Sequence, residues 1–125
     1  NVKDNRPINL DISTIKFPFA AITSLVHRIT GVILVIGFGL LLYLLQLSLE
    51  SESGFVLVQE LLSGHIVKFL TWAVLACLIY HFSAGCKHLL MDLGIGETNE
   101  GAQIGSGLVV AFSAVGILIA GVWIW

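Results

Sequence analysis

The chain has 125 residues, of which 57% are hydrophobic and only 11% charged, and its mean hydropathy is +0.97; this is a membrane composition, not that of a soluble domain. A span needs roughly 20 mostly apolar residues, so three or four spans are the ceiling and one domain over 1–125 is expected. The net charge of -2 leaves no basic stripe for nucleic acid, which excludes that class of partner.

The N-terminal segment, 1–19, carries Lys3, Arg6 and Lys16. No apolar stretch with a cleavage site lies in it, so no secretory signal is expected there. Pro18 marks a helix start, and with the uncharged run 29–49 it predicts a first helix over about 20–49. The stretch 50–65 holds acids and neither Lys nor Arg, and reads as a loop; Lys68 lies just beyond it. A second uncharged run, 69–86, belongs to a helix predicted over about 60–92, which Gly94 and Gly96 end. A third run, 104–125, opens after Gly101 and predicts a helix over about 102–125. GAQIG at 101–105, and Gly116 four residues before Ala120, favour close helix contact in lipid, which is ordinary membrane packing.

All-α membrane architecture with three transmembrane helices follows. Lys3, Arg6, Lys16 and Arg28 precede or open the first helix, and Lys87 lies near the end of the second. By the bias of Lys and Arg towards the cytoplasm, the N-terminus is expected there and the C-terminus on the opposite, periplasmic side, with Trp123 and Trp125 as interfacial anchors. Cys77 and Cys86 are nine residues apart, about 13 Å along a helix. That is too far for a disulfide, so both read as packing residues. The chain has no internal repeat and no low-complexity tract.

Two polar clusters interrupt this pattern. His81 is the one Asp, Glu, Lys, Arg or His inside any of the three uncharged runs, roughly 22 Å along its helix, and such a residue at membrane depth is a functional candidate. A neutral histidine could equally bond a neighbouring carbonyl. His81, Ala84, Gly85 and His88 share a helix face, and the small residues leave room for something flat. Imidazole nitrogen is an axial ligand of haem iron; the propionates of a haem would sit near the interface, at the level of Arg28, Lys87 and His88. With one buried histidine, a bis-histidine haem needs its second ligand from another chain. Ser24, His27, Arg28 and Gly31 share a face of the first helix in the same way. A hydroxyl and a guanidinium there suit a lipophilic ligand with polar oxygens. The plainer alternative is that Arg28 reaches to anionic headgroups while Ser24 lies near the cap.

RPINLDI at 6–12, SLVHRITG at 24–31 and H-x3-G-x-K-H-x2-M-D-x-G at 81–94 together resemble the cytochrome b membrane anchor of succinate dehydrogenase, respiratory complex II, in its large, bacterial-type form. The resemblance covers most of the chain. It implies one half of a heterodimeric anchor bundle that holds haem b together with a second anchor subunit. Succinate is then oxidised on a flavoprotein that bears FAD, electrons pass through the clusters of an iron-sulfur subunit, and ubiquinone or menaquinone is reduced at the membrane. His81 matches the axial haem ligand, and Ser24 and Arg28 match the quinone site. His27 and His88, with Arg28 and Lys87, match positions near the propionates, and Ala84 and Gly85 would pack on the haem. None of these residues is a catalytic acid, base or nucleophile of succinate oxidation.

Lys87 departs from the family's usual arginine; lysine keeps the charge and loses the planar fork. The expected location is a bacterial inner membrane, since no presequence rich in Arg and Ser and poor in acids appears. A scaffold that docks soluble subunits without haem or quinone is the alternative function, and RPINLDI would be a docking arm in either case. A small transporter is disfavoured: it would want an intramembrane acid, and all eight acids lie outside the uncharged runs.

Overall fold

The computed structural model describes residues 8, 10, 11 and 13–125. In these residues four helices run in order: α1 (Phe19–Glu50), α2 (Glu52–Ser63), α3 (His65–Asp92) and α4 (Asn99–Ile124). There is no strand among the described residues. Three of the helices, α1, α3 and α4, are long and apolar enough to cross a membrane. At 32, 28 and 26 residues they are about 48, 42 and 39 Å long, so each outreaches a hydrocarbon core of about 30 Å.

The helix ends follow from local chemistry. Pro18, extended, opens α1: its carbonyl accepts from the amides of Ala21 and Ile22 at 2.9 and 3.2 Å. A single extended residue, Ser51, separates α1 from α2, and its hydroxyl accepts from the Gly54 amide at 3.0 Å. A side chain at Gly54 would collide with the Leu47 carbonyl, so the reversal needs glycine there. At the other end of α3, Gly94 and Gly96 have φ of 83° and 76°. The Ile95 amide donates to Leu90 O and the Gly94 amide to Met91 O, both at 2.9 Å; this pairing satisfies the last carbonyls of the helix.

Three sequence expectations are corrected. The stretch 50–65 is not a loop, because 52–63 forms α2. Gly54 and Val58 are buried and Leu62 half-buried, while Glu52, Gln59 and Glu60 are exposed, a helical period that the acid count obscured. The helix predicted over 60–92 begins instead at His65, since Gly64 is extended (φ -70°, ψ 136°) and closes α2. The last helix begins at Asn99 rather than after Gly101, because the Thr98 hydroxyl caps it by accepting from the Gly101 amide at 3.0 Å.

α3 packs along both α1 and α4 and runs antiparallel to each. On the α1 side Gly37 lies against Val74, Gly31 against His81 and Gly85 against His27. On the α4 side the Trp72 indole donates to Ile117 O at 3.0 Å, Gly116 lies against Ile79, and Lys87 packs on Gly105. Most buried residues are small or hydroxyl-bearing, among them Thr23, Thr30, Ala84, Ser106, Ser113 and Ala120, with Leu34, Val58 and Val109 the larger exceptions. Large apolar side chains such as Val32, Ile36, Leu118 and Val122 point outwards. In lipid, burying greasy side chains brings no gain, so close backbone approach and interhelical hydrogen bonds hold the bundle.

Trp125 packs edge-on against Trp72, with ring centroids 6.3 Å apart, and Trp123 is exposed. Cys77 and Cys86 are both free thiols. The expected docking arm at 6–12 falls largely outside the described residues, as do Lys3 and Arg6; its members Ile8 and Leu10 are exposed.

Candidate functional site

The crossing of α1 and α3 brings three histidines together. The rings of His27 and His81 are stacked, with centroids 4.0 Å apart and an interplanar angle of 18°. His88 lies 5.1 Å from His27, tilted by 47°. The rings fit because the residues opposite them are small. A Cβ on Gly31 would stand 3.0 Å from His81 Cε1, and a Cβ on Gly85 3.6 Å from His27 Nε2. Glycine at 31 therefore sets how near the His81 ring comes to the α1 backbone.

His81 Nδ1 lies 2.9 Å from the carbonyl of His27 and 3.2 Å from the Thr30 hydroxyl. A carbonyl can only accept, so Nδ1 carries the hydrogen and Nε2 the lone pair. Metal-bound imidazoles have this arrangement: the nitrogen away from the metal donates to a carbonyl and fixes the tautomer. His27 Nε2, by contrast, is buried with no hydrogen-bond partner, an uncommon state for a buried polar atom. Both features suit a haem, whose iron takes an imidazole nitrogen and whose anionic edge groups take hydrogen-bond donors. No cluster of three or more His, Cys, Asp or Glu among the described residues is arranged to hold a bare metal ion.

Ser24 is half-buried and Arg28 exposed on the first turns of α1. Among the described residues neither side chain is engaged in a hydrogen bond or ion pair. Arg28 is thus a cation with free donors, one residue beyond His27.

Ala84 and Lys87 stand differently from what the sequence suggests. Ala84 is 2% exposed, its surface taken up inside the chain, so of the two small residues expected beside a flat group only Gly85 keeps part of its surface open. The Lys87 ammonium turns to α4 and donates to the Ser106 hydroxyl at 2.8 Å, so it does not join the histidines. Ser106, fully buried, in turn donates to Ala102 O at 2.8 Å and lies 3.0 Å from the Thr23 hydroxyl. Tyr80 adds a bond from its hydroxyl to Thr23 O at 2.9 Å. This network joins α1, α3 and α4 at one level. A cavity of about 650 Å³ between α3 and α4 is lined by Lys87, Phe82, Leu90, Ile104 and Phe112 and by no residue of the histidine group.

Sequence reasoning missed Thr30, Thr23, Tyr80 and Ser106. Each is an ordinary residue in an apolar helix, and only the helix crossing gives it a partner on another helix. The single hint was hydroxyl spacing, since Thr23 and Thr30 lie seven apart on one face of α1.

The family model for the succinate dehydrogenase/fumarate reductase transmembrane subunit matches residues 2–120. The succinate dehydrogenase cytochrome b556 subunit of Coxiella burnetii is 40% identical over 121 residues, 96% of this chain and 97% of that one. The cytochrome b556 subunit of Paracoccus denitrificans is 32% identical over 113 residues, covering 90% and 87% of the two chains. The mitochondrial cytochrome b560 subunit of Bos taurus is 37% identical over 105 residues, 78% of this chain and 59% of that one. With nearly all of its length matched and three spans of the right size, this chain belongs to the succinate dehydrogenase/fumarate reductase transmembrane-subunit family and resembles its cytochrome b members.

Proposed function

We propose that this chain is the cytochrome b anchor of a succinate:quinone oxidoreductase, in which His81 would hold a haem b shared with a second anchor subunit. The observation that carries this reading is the His81 Nδ1 bond to the His27 carbonyl at 2.9 Å, which turns Nε2 into the ligating nitrogen. Kinship with subunits named cytochrome b556 supports it. The haem, when bound, would supply reversible one-electron storage.

The protein's own residues do the rest. His27 Nε2 and the Arg28 guanidinium offer donors to the propionates, and His88 beside His27 extends that polar edge. Ser24 and Arg28, four apart on α1, form this chain's share of the quinone site. The Ser24 hydroxyl donates to a quinone carbonyl oxygen, and the Arg28 charge stabilises the negative charge that builds on that oxygen as electrons arrive. Electrons come from the iron-sulfur subunit, itself reduced by the flavoprotein, and protons from the aqueous side. The N-terminal end of α1 then faces the cytoplasm of a bacterial inner membrane, and the C-terminus faces the periplasm. Lys87 takes no part in holding the propionates, being engaged with Ser106.

The test is a reduced-minus-oxidised visible spectrum of the intact complex. A low-spin b-type signal that is lost or displaced in His81→Leu is the expected result. A complex that carries flavin and iron-sulfur subunits but gives no haem signal, or one whose signal survives His81→Leu unchanged, overturns the ligand assignment and leaves a docking scaffold.

A further inference from the structure

We infer that Thr30 is a positioning residue for His81: its hydroxyl shares the Nδ1 hydrogen with the His27 carbonyl, and so fixes the ring plane and raises the electron donation of Nε2. This rests on the reading of His81 as the haem ligand and names what tunes it.

Thr30 is 7% exposed. Its Oγ1 lies 2.9 Å from Val26 O, 2.9 Å from His27 O and 3.2 Å from His81 Nδ1. Bonds from a helical threonine to carbonyls three or four residues back are common and imply nothing by themselves. The third contact is different, because it crosses from α1 to α3. A hydroxyl has one hydrogen and two lone pairs. The hydrogen goes to one of the two carbonyls, and a lone pair is left facing Nδ1, which must donate because its other neighbour is a carbonyl.

Two acceptors from neighbouring turns of α1 therefore grip one N–H. A single acceptor leaves the ring free to rock about that bond, whereas two restrain its rotation. The Gly31 backbone, close enough that a Cβ would meet His81 Cε1 at 3.0 Å, blocks movement on that side. The stacked His27 ring at 4.0 Å covers one face. Hydrogen-bond acceptance at the distal nitrogen makes an imidazole a stronger donor to iron, which favours the oxidised metal. Thr30 is thus expected to hold the haem potential down.

The experiment uses the intact complex with Thr30→Val, which keeps the shape and removes the hydroxyl, and Thr30→Ser, which restores it. Optical redox titration gives the haem midpoint potential, and electron paramagnetic resonance gives the largest g value of the oxidised low-spin haem, which depends on ligand-plane orientation. Thr30→Val is expected to raise the midpoint potential and move the g value, with Thr30→Ser returning both towards the parent. If Thr30→Val impairs assembly, Thr30→Ala measured against Thr30→Ser reads the same hydroxyl. Haem present with both readouts unchanged in the hydroxyl-less variant overturns the inference, as does a downward shift, or an equal shift in Thr30→Ser. A parent complex without haem, or one indifferent to His81→Leu, overturns instead the ligand reading on which it rests.

Discussion

The His27 main chain and side chain hold His81 in two separate ways: the carbonyl accepts from His81 Nδ1 at 2.9 Å, and the imidazole stacks on the His81 ring at 4.0 Å. Only the second depends on what residue stands at 27. His27→Ala should therefore keep the ligand orientation and the haem, while removing the stacked ring and the unpartnered Nε2. The expected outcome in the purified complex is a b-type spectrum of near-parent intensity with an altered midpoint potential. Haem loss as complete as in His81→Leu would mean that the side chain, not the carbonyl, holds the ligand.

The division between what was legible in the sequence and what was not follows the same line. His81 stood out because a lone histidine in an uncharged run is costly in lipid, and Ser24, His27 and Arg28 because they crowd a helix entrance. The number of membrane-length helices was readable from run length alone. Thr30 and Ser106 were not readable, since a hydroxyl in an apolar helix normally satisfies itself on its own backbone; what distinguishes them is a partner 51 and 83 residues away in sequence. α2 was hidden because a twelve-residue helix with two acids looks like a polar connection to any reading based on spans. The Lys87–Ser106 bond was not readable either, because residues 87 and 88 point about 100° apart on a helix and the cation follows the face that meets α4.

Ser24 and Arg28 are the residues on which quinone reduction should depend. In assembled complex, Ser24→Ala and Arg28→Ala should each lower succinate-driven quinone reduction by about 10²-fold, the scale of losing one donor to a developing negative charge. Succinate oxidation with an artificial acceptor that draws electrons from the soluble subunits should be unchanged, which separates a quinone defect from failed assembly. Parent-level quinone reductase activity in both variants would remove them from the site.

Gly37 and Val74 test the α1–α3 contact. A Cβ at 37 would come within 2.8 Å of Val74 Cγ1 and 3.0 Å of Cγ2, and a branched valine has little freedom to yield. Gly37→Ala should destabilise the bundle by about 1–3 kcal/mol, seen as a lower thermal midpoint in detergent. Adding Val74→Ala should recover part of the loss, giving a favourable coupling in the double-mutant cycle. Simple additivity would show that the helices separate freely there.

The exposed Asp11 carboxylate accepts from the Ser13 hydroxyl at 2.6 Å and the Ser13 amide at 3.0 Å, and these bonds hold its pKa below the ordinary 3.8. A carboxyl lowered in this way supports the turn while ionised: the support is complete above 3.8 and fades as pH falls through the lower value. The Ser13 amide resonance should accordingly be flat at neutral pH and titrate with a midpoint under 3.8. A midpoint at or above that value would show that the turn is not held by the carboxylate.

Ser106 is the shared atom of the three-helix network, taking the Lys87 ammonium at 2.8 Å and meeting the Thr23 hydroxyl at 3.0 Å. Ser106→Ala removes the acceptor and leaves the half-buried ammonium without its partner, at a cost of about 1.5–3 kcal/mol for a hydrogen bond to a charged group. Lys87→Met removes the charge together with its need for an acceptor, and the Ser106–Thr23 and Ser106–Ala102 contacts survive. It should therefore cost less than Ser106→Ala, and Lys87→Met should relieve part of the damage when added to Ser106→Ala. Thermal unfolding of the four combinations in one detergent measures this directly. If Lys87→Met is the more damaging single change, the ammonium acts through something other than its bond to Ser106, since methionine keeps most of the stem packed on Gly105.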